Sequence, residues 1–73
     1  MSSERVRVEL AFEGGQTLGA VVEAGTADAV EQALGAGEQS IVLDAEDGRY
    51  TVRLDKVVYL KRFARGSRVG FGA

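Results

Sequence analysis

A chain of 73 residues with no cysteine, histidine or proline excludes several chemistries at once. No disulfide can staple the fold, and neither thiolate nor imidazole can hold a metal or act as a base. The formal charge of −2 conceals a division: residues 1–47 carry two basic and ten acidic side chains, and residues 48–73 carry seven basic and one acidic.

The length fits one domain. Folding at this size hides only about 60% of the surface that the unfolded chain exposes, so self-association is a common way to bury more. A hydrophobic content of 45% argues for a folded globule rather than a disordered chain. No apolar run reaches the ~20 residues needed to span a bilayer. Met1 to Arg7 leads into an alternating segment rather than an apolar core, so no secretory signal is expected and the cytoplasm is the default location.

In chain order, Val6, Val8, Leu10 and Phe12 alternate with Arg5, Arg7, Glu9 and Ala11, the two-residue period of a strand with one buried face. Leu18, Ala20 and Val22 repeat the period in a second strand. A one-residue slip inverts every side chain, so the apolar sets share a face only if an odd number of residues connects them. A three- or five-residue loop around Gly14 and Gly15 is expected, with a glycine at positive φ. Thr26 then suits a helix N-cap, with Asp28 in the first turn. Ala27, Val30, Ala33 and Leu34 share one helical face, and Gly35 and Gly37 supply the stop. A helix of about ten residues needs the sheet to support it.

Ile41 and Leu43 restart the alternation, and Tyr50, Val52 and Leu54 continue it. Asp47 and Gly48 as a two-residue turn would place Leu43 opposite Val52, Ile41 opposite Leu54, Ala45 opposite Tyr50 and Glu46 opposite Arg49. After a break at Asp55 and Lys56, Val57 to Phe63 reads as a fifth strand. Val58 and Leu60 suit the core, which leaves Val57, Tyr59, Lys61 and Phe63 on a second, partly apolar face. Ala64 to Arg68 reads as a loop and Val69 to Ala73 as a short extended tail.

Catalysis has little to work with. Asp44, Glu46 and Asp47 form a carboxylate cluster, but they flank a turn and lack the spacing of a calcium loop. Gly14 and Gly15 precede a strand, so they do not form a phosphate loop at a helix N-terminus. No catalytic residue, metal or cofactor is expected.

The basic C-terminal stretch is the candidate site: Tyr59, Lys61, Arg62, Phe63, Arg65, Arg68 and Phe71. Three readings fit it. Basic residues guard a strand edge against aggregation. Arginines pair bidentately with carboxylates across protein interfaces. Cations interleaved with aromatics also grip single-stranded RNA or DNA, although a pI of about 5.0 is far below the values above ~9 usual for such domains. The acidic helix positions Asp28 and Glu31, with Glu38 beyond, would offer a second copy a complementary surface.

Gly48 and Arg49 at the hairpin turn and the ending Arg68, Val69, Gly70, Phe71, Gly72 resemble a small actinobacterial family of uncharacterised proteins. The likeness follows the order of elements over almost the whole chain, while Lys61, Arg62 and Arg65 depart from a more acidic stretch in that family. It implies a cytosolic protein and transfers no catalytic residue.

The expected fold is α+β: a curved antiparallel sheet of about five strands, in the order β-β-α-β-β-β, with one short helix packed on it. The expected function is a non-catalytic protein-interaction module, a homo-oligomer formed through the fifth strand and the tail, with another protein as a possible partner and no membrane. The alternative is binding of single-stranded nucleic acid through the basic stretch.

Overall fold

The computed structural model describes residues 4–64. Their elements follow the expected order: β1 (Arg5–Phe12), β2 (Thr17–Glu23), α1 (Ala24–Ala36), β3 (Ser40–Ala45), β4 (Gly48–Arg53), a 3-10 turn at Leu54–Lys56, and β5 (Val57–Arg62). Every strand pairing is antiparallel, and the domain is α+β. The five strands divide into a three-stranded sheet in the order β2-β1-β5 and a two-stranded sheet of β3 and β4.

Parity governs the first hairpin as the alternation requires. Val6 pairs with Val22, Val8 with Ala20 and Leu10 with Leu18, so the apolar sets share one face. The Phe12 N–H donates to Gln16 O at 2.8 Å, which leaves Glu13, Gly14 and Gly15 as the loop. Gly15 N–H closes the turn onto Phe12 O at 3.1 Å. Gly14 stands at the third position of that turn with φ 95°, where a side chain would be strained.

The helix start differs from the expected Thr26 cap. Glu23 ends β2 in extended backbone and α1 begins at Ala24, so Thr26 lies inside the first turn. The Ala24 N–H donates to Glu4 O at 2.8 Å, and the backbone beside the start of β1 thus anchors the helix without a side-chain cap. At the other end Glu38 N–H bonds Ala33 O and Gly37 N–H bonds Leu34 O, the paired bonds of a Schellman stop, with Gly37 left-handed at φ 77°. Ala27, Val30 and Ala33 are the helix residues buried on the sheet.

The second hairpin keeps its faces but changes register. Ala45 pairs with Gly48, Leu43 with Tyr50 and Ile41 with Val52, two positions from the expected alignment. An Asp47-Gly48 turn of the I′ type needs positive φ at both residues. The chain turns at Glu46 and Asp47 instead, and Gly48 alone takes a positive φ, of 145°. No aspartate is forced into the left-handed region, and an even shift leaves the buried set buried.

The core gathers Val8, Leu10, Val22, Ala27, Val30, Ala33, Leu43, Val52 and Leu54 between the three-stranded sheet, the helix and the hairpin. Leu10 is its centre, 1% exposed. At β5 the pairing passes from Ala11 with Tyr59 to Phe12 with Val57, a bulge that leaves Val58 over. Val57 and Leu60 therefore pack on the core, and Val58, expected there, is 65% exposed.

Two glycines near the helix end separate backbone conformation from space, because a Cβ at either Gly35 or Gly37 meets no atom within 4 Å. Gly35→Ala should stabilise the fold by about 0.5–1 kcal/mol. Gly37→Ala should cost about 1–2 kcal/mol through its left-handed φ. Thermal unfolding checks the signs: about 1 kcal/mol moves the midpoint by roughly 4–8 °C in a domain of this size.

Candidate functional site

The sheet has one face on the core and one turned away from it. Alternation places Arg7, Glu9 and Ala11 of β1 on the outer face, beside Lys61 and Tyr59 of β5 in register. Phe63 follows just past β5, its N–H donating to Arg7 O at 2.9 Å. The Arg7 guanidinium lies 5.1 Å from the centroid of the Phe63 ring and the Lys61 ammonium 4.5 Å, so the ring is flanked by two cations. Tyr59, 49% exposed, donates its hydroxyl to Glu9 Oε2 at 3.4 Å.

Of the expected site residues, Tyr59, Lys61 and Phe63 thus meet on this face. Arg62 lies on the opposite face, 30% exposed, and spans from β5 to the helix. Its Nη1 donates to Asp28 Oδ1 at 2.7 Å and to Glu31 Oε2 at 3.5 Å. The bond to Asp28 holds the guanidinium above its ordinary pKa, partial burial opposes the rise, and the carboxylate charges add to it. The acidic helix positions proposed as a docking surface for another copy are therefore engaged within the chain. Arg65, Arg68 and Phe71 lie outside the described residues, as does the loop and tail reading of that segment.

The carboxylates at the β3 to β4 turn diverge. Asp44 accepts from Arg49 at 3.1 Å, Glu46 from Arg5 at 2.6 Å and Asp47 from the Tyr50 hydroxyl at 2.7 Å. Donation to Asp47 raises the Tyr50 phenol above its usual pKa, with burial and the Asp47 charge adding to the effect. Among the described residues no three metal-ligating side chains gather. An open hollow between the two sheets is lined by Phe12, Leu18, Tyr50 and Val52 with Arg53 and Lys56, and Glu13 is its one carboxylate.

Two features were not among the expected site residues. Arg7 and Glu9 belong to the face around Phe63, and the wet alternation of the first strand already marked them as outward. Val58 was hidden by the bulge, which leaves no mark on the two-residue pattern.

The backbone of β5 completes the geometry. Because Phe63 N–H bonds Arg7 O, the pairs Lys61 with Glu9 and Tyr59 with Ala11 are the ones that exchange hydrogen bonds with β1. Leu60 and Arg62 then direct their N–H and C=O groups away from β1. Among the described residues no strand lies beyond them.

No family model, no curated protein and no solved structure matches the chain. The likeness read from its ending is carried mainly by residues 68–72, outside the described part. No helix among the described residues is long and apolar enough to cross a membrane.

The Arg62 clamp is testable by coupling. Arg62→Gln should lower the melting temperature in the native background and lower it much less when Asp28→Asn and Glu31→Gln are already present. Equal losses in both backgrounds would show that the three side chains do not cooperate.

Proposed function

We propose that the chain is a non-catalytic protein-interaction module that accepts an extended partner segment along the outer edge of β5. The observation that carries this reading is an edge strand with outward backbone groups at Leu60 and Arg62 and two exposed apolar side chains, Val58 at 65% and Tyr59 at 49%. Strand addition gains affinity from main-chain hydrogen bonds and specificity from alternate side chains.

Edges are ordinarily guarded by charge. On β4, Arg49 and Arg53 are exposed and paired with Asp44 and Asp55, and no large apolar side chain of β4 is exposed. On β5 the guards are drawn away: Arg62 turns to the helix and Lys61 lies over Phe63. The same engagements weaken the nucleic-acid alternative, since both cations beside Phe63 occupy the ring on which a base would stack. Binding of a single-stranded oligonucleotide that weakens steeply with salt would favour that alternative.

Residue-resolved amide hydrogen exchange on dilute protein tests whether the edge is open. The Lys61 and Phe63 amides, bonded to β1, should be protected, whereas the Leu60 and Arg62 amides should exchange fast. Strong protection of Leu60 and Arg62 in a sample that sedimentation shows to be monomeric would mean that the edge is already covered within one chain, and would overturn this reading.

A further inference from the structure

Resting on the reading of β5 as an open interaction edge, we infer that its partner is β5 of a second copy, paired antiparallel about a two-fold axis at Leu60. A two-fold interface must be self-complementary, and few alignments of β5 meet that condition.

The outward backbone groups must face an extended strand of the partner. With the axis at Leu60, that residue exchanges both hydrogen bonds with its own copy, and Arg62 faces Val58 of the partner subunit. With the axis at Tyr59, Arg62 would face the partner subunit's Lys56, which lies in the 3-10 turn and outside the strand. With the axis at Lys61, two ammonium groups would stand directly opposite, and like charges so placed destabilise a sheet.

The alignment about Leu60 also sets unlike groups together. Tyr59 comes opposite Lys61 of the partner subunit on the outer face, where its ring meets the methylene stem of a lysine whose ammonium lies over Phe63, and Glu9 holds the Tyr59 hydroxyl. Val58, the most exposed large apolar side chain among the described residues, comes beside the partner's Arg62, whose charge is already held by Asp28 and Glu31. Each copy contributes three strands, so the junction joins the two three-stranded sheets edge to edge.

The chain has no cysteine, so engineered thiols report the register without background. Tyr59 and Lys61 are both exposed, and replacing either leaves the core intact. Directly opposed residues have Cβ atoms about 4.5–5.5 Å apart and diagonal ones about 7–8 Å, and only the former approach the span of a disulfide. Under mild oxidation, Tyr59→Cys mixed with Lys61→Cys should shift from monomer to covalent dimer, while neither variant alone should do so. Cross-linking of Tyr59→Cys alone or of Lys61→Cys alone would place the axis at that residue and overturn the register. A doubled mass with no cross-link in any sample would move the junction away from β5. A strict monomer at ~100 μM would overturn the second copy as partner, while fast exchange at Leu60 and Arg62 would still support an open edge for another protein.

Discussion

Leu10 sits on the middle strand of the three-stranded sheet, flanked by Leu18 of β2 and Leu60 of β5. The helix and the β3 to β4 hairpin supply the residues that close over it, Ala27, Val30 and Ala33 from one and Leu43 and Val52 from the other. Both lie on the same side of the sheet. Among the described residues, one thirteen-residue helix and one hairpin cover the sheet, both on one face, so there the second face and the outer edge of β5 are left to side chains. The features of functional interest follow from that shortage. Arg7, Glu9, Tyr59, Lys61 and Phe63 lie on the second face: two rings, two cations over one of them, and a carboxylate bonded to the hydroxyl of the other. The edge beyond Leu60 has no described neighbour.

The basic character of the C-terminal part takes on a different meaning in this setting. Arg49, Arg53 and Arg62 each bridge to a carboxylate, and Arg5 reaches Glu46. Two of these bridges cross the charge division between the two parts of the sequence: Arg62 ties β5 to the helix and Arg49 ties β4 to β3. Exposed pairs of this kind add little stability individually. The consequence of the Arg62 bridge is positional: it turns toward the helix a cation that would otherwise guard the β5 edge.

Much of the architecture was legible in the sequence because its physical cause is local. The alternation from Arg5 to Phe12, the odd-parity loop at Gly14 and Gly15 and the stop at Gly37 depend on neighbouring residues only. What was not legible depends on contacts distant in sequence. Thr26 has the chemistry of a cap, but Glu4 supplies the backbone acceptor that starts the helix at Ala24. Asp47 and Gly48 form a familiar turn pair, yet the chain turns at Glu46 and Asp47, where the Glu46 N–H donates to Val21 O at 2.9 Å, and the register moves by two. Val57 and Val58 are chemically alike, and only the bulge opposite Phe12 decides which is buried. For the site, Tyr59, Lys61 and Phe63 were placed on one face by period alone, whereas the partners of Arg62 could not be read without the helix packing.

The proposed association runs through the β5 edge, beyond which no strand lies among the described residues, and not through exposed apolar surface in general. Val42 of β3 provides the comparison, since it is 55% exposed and lies away from that edge. Sedimentation equilibrium over a range of concentrations separates the two. The native chain and Val42→Lys should approach twice the 7.7 kDa chain mass together, whereas Val58→Lys should remain at the mass of one chain. A Val58→Lys variant that associates as the native chain does, or a native chain that stays monomeric throughout, would contradict association through this edge.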